Sequence, residues 1–215
     1  MTPSQAYELF LQDPDSFNTS AASPEDCLQA YRKAAQDANE ILFITVSKKL
    51  SRVYDSAIAA AELARADMPG INIRIIDSTQ ATSSEGMIAL AAAQAAKDGK
   101  DLRETARAAE AVLEKVGAIV YLDTIKHVYR SGRIPKIASQ VGGMLNIKPI
   151  LTINEIVHFA GMARSRKKGI DKMLEMMREK VGDKPIHFAV THAYAPQDAN
   201  FGEIGRLFGM KTAGC

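Results

Sequence analysis

Apolar residues recur along this chain in two alternating periods. Ile41-Leu42-Phe43-Ile44-Thr45-Val46 is an almost unbroken β-branched and apolar run of strand length, as expected of a strand covered on both faces. Ile71–Ile76 and Ala118–Leu122 read the same way. Between these runs the pattern changes to the helical period: from Ser51 to about Arg65, over 84–98 and over 101–116. Met68-Pro69-Gly70 ends the first of these helices, and Gly99 separates the other two. An earlier helix opens at Ser23-Pro24-Glu25-Asp26 and runs to about Asn39. There Ser is the cap, Pro takes the first helical position, and two acids sit at the positive end of the helix dipole.

Beyond Leu122 the pattern predicts two short helices, around 123–130 and 134–142. Ile150–Ile153 and Ile156–Phe159 flank Asn154-Glu155, which reads as a tight hairpin. A charged helix follows over about 164–181, with Met173, Met176 and Met177 on its apolar side. Phe188–Thr191 reads as a last strand, and Pro196 begins a final helix. Strands alternating with helices predict an α/β fold, a largely parallel sheet with helices on both faces.

The 215 residues suffice for one large domain or two smaller lobes. A net charge of +2 argues against a general nucleic-acid binder, so any basic patch must be local. Cys27 and Cys215 lie too far apart to suggest a disulfide framework, which favours a reducing, cytoplasmic setting. Met1–Gln5 has neither the basic nor the apolar segment of a secretory signal. The Ala-rich stretches 57–66 and 88–96 are interrupted by Glu, Arg and Gln, so no membrane span is expected.

Signatures of catalysis are missing from the sequence. It has no P-loop, no dinucleotide glycine fingerprint, no G-x-S-x-G elbow and no zinc-type His/Cys spacing. His187 and His192, five positions apart in the expected strand, would face opposite sides. No catalytic residue, metal or cofactor is therefore expected. What the chain does carry is a set of hydroxyl-rich turns: Asn18-Thr19-Ser20, Ser47–Ser51, Asp77-Ser78-Thr79 and Thr82-Ser83-Ser84. In an open parallel sheet such turns lie at the carboxyl edge, where ligands bind. A helix N-terminus with an added hydroxyl suits one carboxylate or phosphate, although the same residues also serve as plain helix caps. Arg130, Arg133 and Lys136, then Arg164, Arg166, Lys167 and Lys168, form two basic groups. They suit a solvated face, an anion site or an acidic protein partner.

Several of these segments together resemble one family. Asn18–Pro24 is similar to a T-T-S-x-P-S-P segment, and Ile44–Ala57 to I-T-L-S-S-x-L-S-G-T-Y-Q-S-A. Asp77-Ser78 fits a strand-ending V-D-S; Ser131–Lys136 resembles G-G-R-I-S-K; Leu145–Leu151 matches L-L-N-I-K-P-I-L; Arg164–Lys168 fits R-x-R-x-K. Their order and spacing are those of the DegV family, the fatty-acid-binding subunits of bacterial fatty acid kinase. The resemblance implies a two-lobed α/β fold whose cleft between lobes buries a long-chain fatty acid. It assigns the carboxylate to Thr19 and Ser51, with Ser20, Arg133 and Arg166 as further anion or partner contacts. It implies a non-catalytic subunit without cofactor or metal, whose partner kinase uses ATP to make the acyl phosphate. A membrane surface could be touched transiently; nucleic acid is not an expected partner.

The chain departs from the family pattern in places. It begins after the family's first strand and ends before its H-x-G-P-G turn, so lobes are expected at 1–80 and 81–215, each incomplete at its outer end. Arg52-Val53 stands where the family has Gly-Thr, and Ala21-Ala22 where it has a polar residue and Pro. The alternatives are another acidic lipid or no ligand, and a basic surface for nucleic acid or protein.

Overall fold

The computed structural model describes residues 1–125, 128, 130–134, 147–193 and 195. Most of the expected helix at 134–142, part of that at 123–130, the helix from Pro196, Lys136 and Cys215 lie outside these residues. The chain divides into two compact units, one of residues 1–19 with 174–215 and one of residues 20–173.

The first unit contains helix α1 (Pro3–Gln12), which was not among the expected helices. Thr2 caps it: its side chain accepts the Gln5 amide N–H, and the Gln5 side chain accepts the Thr2 N–H. Thr2-Pro3 followed by Gln5 is a complete capping box, so the signal was present in the sequence. Phe10 and Phe17 meet edge to face, with ring centroids 5.5 Å apart. Phe188–Thr191 is irregular rather than a strand. A run of four apolar and β-branched residues becomes a strand only where a neighbour receives its ladder.

The second unit is built on a parallel pair, β1 (Glu40–Thr45) and β2 (Asn72–Asp77), in register from Glu40 opposite Asn72 to Thr45 opposite Asp77. Alternate residues of β1 serve opposite faces. Ile41 and Phe43 pack with α2 (Pro24–Ala34) and α3 (Val53–Asp67), against Cys27, Leu28, Tyr31, Ala57, Ala60 and Ala64. Leu42 and Ile44 pack with α4 (Thr82–Lys97) and α5 (Leu102–Leu113), against Ile88, Ala92, Ala106 and Ala109. Fully buried alanines on α3 and α5 let the helices lie close to the sheet. Tyr31 is buried in the first layer, where its hydroxyl donates to the Ala57 carbonyl at 3.1 Å.

The remaining strands include the expected hairpin at Asn154-Glu155 but are all antiparallel, so among the described residues the expected largely parallel sheet is limited to β1 and β2. Strands β3 (Ala118–Tyr121), β4 (Lys148–Asn154) and β5 (Ile156–Ala163) form an antiparallel sheet in the order β3-β4-β5. Asn154 pairs with Ile156 across Glu155 alone. So short a connection can only reverse the chain, whereas a parallel neighbour needs a long crossover. The register shifts between Ile150 and Leu151, opposite Gly161 and Phe159, and leaves a bulge at Ala160. Helix α6 (Arg166–Val181) follows and crosses from the second unit into the first after Met173; Leu174 is buried and Met173, Met176 and Met177 are half-buried.

Gly169, in the first turns of α6, lies so close to the Tyr121 ring that a Cβ there would run into it. Gly169→Ala is expected to lower stability. The helix-propensity gain of about 1 kcal/mol is outweighed by overpacking of about 1–3 kcal/mol. Thermal or urea unfolding checks this, and an unchanged or higher midpoint would contradict it.

Candidate functional site

The carboxyl ends of β1 and β2 gather an unusual number of buried polar side chains. Thr45, Ser47, Ser78, Gln80 and Ser84 are each less than 5% exposed. Such groups are usually hydrogen-bonded: Thr45 Oγ1 donates to the Ile76 carbonyl of β2 at 3.5 Å and Ser84 Oγ to the Ala81 carbonyl at 2.7 Å, while the turns that leave the strands are bonded to one another. Ser47 N–H donates to the Gln80 carbonyl at 2.8 Å and Ser78 N–H to the Thr45 carbonyl at 3.0 Å. The Ser78 hydroxyl donates to the Gln80 carbonyl at 3.3 Å and accepts the Gln80 N–H at 3.1 Å. Asp77 Oδ1 accepts the N–H groups of Lys48 and Thr79. Lys48 Nζ lies 3.7 Å from Asp77 Oδ2 and 5.6 Å from the Tyr54 ring centroid. Gln80 Oε1 is buried without a hydrogen-bond partner among the described residues.

The β4–β5 hairpin closes over this edge. The Ser47 hydroxyl donates to the Glu155 carbonyl at 2.5 Å, and the Glu155 N–H donates to the Thr79 carbonyl at 2.7 Å. Glu155, Thr79 and Thr82 all have left-handed backbones, with φ of 59°, 53° and 60°. For residues other than glycine that conformation persists only where the surroundings hold it, commonly at ligand sites.

Ser51 is half-buried just before α3. Its N–H donates to the Ser47 carbonyl at 3.1 Å, and its hydroxyl oxygen accepts the Val53 N–H at 3.3 Å. The α3 N-cap position itself is Arg52, which makes no side-chain cap bond, and α4 starts after Ala81, also uncapped. The hydroxyls at this edge therefore differ from Ser23, which forms a full capping box with Asp26. Arg52 is 88% exposed and pairs with Asp55 at 3.7 Å, so it leaves the Ser51 turn open.

Of the other predicted residues, Arg133 belongs to the Ser51 turn. Its Nε donates to the Leu50 carbonyl at 3.3 Å and its Nη1 to the Ser131 carbonyl at 2.7 Å. Thr19 and Ser20 are exposed; Thr19 ends the first unit and Ser20 begins the second. Arg166 is engaged elsewhere: its Nη2 lies 2.9 Å from Asp123 Oδ2. The same carboxylate takes Lys148 Nζ at 2.7 Å and the Tyr121 hydroxyl at 2.9 Å. The hydrogen bond from Lys148 above all, helped by Tyr121 and Arg166, holds the Asp123 carboxyl below the usual carboxylate range. The sequence carries no motif at Gln80, marks Glu155 only as part of a hairpin turn, and places Ser47 in a hydroxyl-rich turn without a role of its own.

Similarity to known proteins identifies the family. Residues 1–203 match the family model described as "Uncharacterised protein, DegV family". The chain belongs to the DegV family. A DegV domain-containing protein of Streptococcus pyogenes is 32% identical over 165 residues, 76% of this chain and 58% of its own length. The DegV chain described here thus spans less than two thirds of that relative. A DegV protein from Thermus thermophilus, solved in a study of its fatty acid binding, is 30% identical with a TM-score of 0.72. That match covers 85% of this chain and 64% of the other. A DegV protein from Ruminococcus gnavus, solved with vaccenic acid, is 25% identical with a TM-score of 0.81, over 99% of this chain and 75% of its own. Among the described residues, no helix of this DegV chain is long and apolar enough to cross a membrane.

The Asp123 cluster has a pH signature. A carboxyl with a lowered folded-state pKa adds stability above its unfolded pKa and loses it as pH falls through the folded pKa. Asp123→Asn is expected to lower the neutral-pH unfolding free energy by up to about 1 kcal/mol, since the pairs are partly exposed. The difference from wild type should close on acidification below the ordinary carboxylate range. Melting curves across pH measure it, and a deficit that persists in acid would contradict the assignment.

Proposed function

We propose that this DegV chain binds a long-chain fatty acid and presents its carboxylate to a separate ATP-dependent kinase that makes the acyl phosphate. The observation that carries the reading is family membership together with the fatty acid binding described for one solved relative and the vaccenic acid of another. The Ser51 turn supports it: a half-buried hydroxyl at a helix start without a side-chain cap is chemically suited to a carboxylate. Thr19 and Ser51 are the proposed carboxylate contacts. Ser20, Arg133 and Arg166 are proposed as secondary contacts to the anion or to an acidic kinase surface.

Tail and head contribute differently. Covering an acyl chain is worth about 0.8 kcal/mol per methylene, so about 14 of them give roughly 11 kcal/mol gross. A hydrogen bond to a charged head adds about 1.5–3 kcal/mol. The tail supplies affinity, and the hydroxyls choose which end faces outward. The binder contributes orientation; the chemistry of ATP belongs to the partner.

Native mass spectrometry and lipid extraction of the purified protein are expected to show a co-purifying fatty acid. Protein that neither retains an acid nor binds added palmitate would overturn the reading. Thr19→Ala and Ser51→Ala should each weaken palmitate binding by about 1–3 kcal/mol, measured by displacement of a fluorescent fatty acid. Unchanged affinity in both would remove these residues from the site.

The chain alone, given ATP, magnesium and palmitate, is expected to form no acyl phosphate. Turnover in that assay would make it an enzyme in its own right.

A further inference from the structure

We infer that Ser47 is the positioning residue for Ser51, fixing the turn that presents Ser51 and tying it to the β4–β5 hairpin. The inference rests on the reading that Ser51 contacts a carboxylate. Ser47 is fully buried, so in this conformation its effect on a ligand must pass through the residues it holds. Every polar atom of Ser47 is engaged. Its N–H donates to the Gln80 carbonyl at 2.8 Å, and its carbonyl accepts the N–H groups of Leu50 at 2.9 Å and Ser51 at 3.1 Å. Its hydroxyl accepts the Lys49 N–H at 3.2 Å and donates to the Glu155 carbonyl at 2.5 Å. Three consecutive residues up to Ser51 are thus bonded to Ser47 on one side, and the hairpin on the other.

The hairpin end of this linkage is held in an unfavourable backbone. Glu155 has φ of 59°, and Thr79, whose carbonyl accepts the Glu155 N–H, has φ of 53°. Two non-glycine residues in that region cost energy that neighbouring bonds must offset. Without the Ser47 hydroxyl, the Glu155 carbonyl and the Lys49 N–H each lose a partner in a partly buried bond. The turn can then relax, and the Ser51 hydroxyl leaves the orientation set by the Val53 N–H and the Ser47 carbonyl. Arg133, bonded to the Leu50 carbonyl, reaches the same turn from its exposed side.

The test separates positioning from general stability by measuring head-group preference, the affinity for palmitate relative to its methyl ester. Both ligands share the tail, so a merely structural defect moves them together. Ser47→Ala is expected to cut the preference about tenfold while ester affinity stays within about twofold, and Ser51→Ala to do the same. The double variant should lose no more than either single, because one residue acts through the other. Should Ser47→Ala not fold, Ser47→Cys, which keeps the shape and a weak donor, is expected to show a partial loss of preference. Equal losses of acid and ester affinity, or losses that add in the double variant, would overturn the positioning role. A preference that falls in Ser51→Ala but not in the Ser47 variants would also overturn it. A preference unchanged in Ser51→Ala would overturn the carboxylate reading itself, and the positioning role with it.

Discussion

The β4–β5 hairpin joins the two turns that leave the parallel strands β1 and β2. The turns that leave the carboxyl ends of β1 and β2 carry N–H and carbonyl groups outside the strand ladder, and burying such groups unpaired costs about 1–3 kcal/mol each. Here Glu155 meets both turns: its carbonyl takes the Ser47 hydroxyl, and its N–H gives to the Thr79 carbonyl. The buried polar side chains around them follow from that closure. So do the left-handed conformations of Thr79 and Glu155, which only a fixed pair of partners can hold.

Electrostatics at the candidate site are local. Lys48 is drawn to Asp77, and Arg166 and Lys148 share Asp123. Their fields are partly cancelled by the carboxylates they face. Arg133 differs, because its described bonds go to the neutral carbonyls of Leu50 and Ser131, which leave its charge in place beside the Ser51 turn. An anionic head group near Ser51 would therefore meet a positive charge, a helix start and a hydroxyl together. The net charge of +2 gives no hint of this, since it averages over the chain.

Much of the fold was legible because its signals are local. The capped start of α2 at Ser23-Pro24, the β-branched run of β1 and the breaker after α3 each act within a few residues. Helix α1 was legible too, in the cap residues Thr2, Pro3 and Gln5 and in the half-buried Ala6, Tyr7 and Phe10 at helical spacing. The β4–β5 reversal was legible at Asn154-Glu155, but the antiparallel pairing of β3 with β4 was not, because the strand pattern of Ala118–Tyr121 serves parallel and antiparallel partners alike. Of the candidate site, Ser51 and Arg133 could be named from family-like segments. Gln80 and Glu155 could not, because their part is played by backbone groups, which every residue type shares.

The sequence by itself determined the alternation of helices and strands, the two-faced burial of β1, the hydroxyl-rich turns after the strands and membership of the DegV family. Each depends on residue type at short spacing, which the chain carries wherever it is placed. Tertiary structure decided that residues 47, 79 and 155 meet, that Arg133 bonds to the Leu50 carbonyl and that Arg166 is taken by Asp123. Those pairings join positions from 43 to 108 residues apart. At such separations the choice of partner is made by packing and backbone geometry, on which the spacing of residue types along the chain is silent.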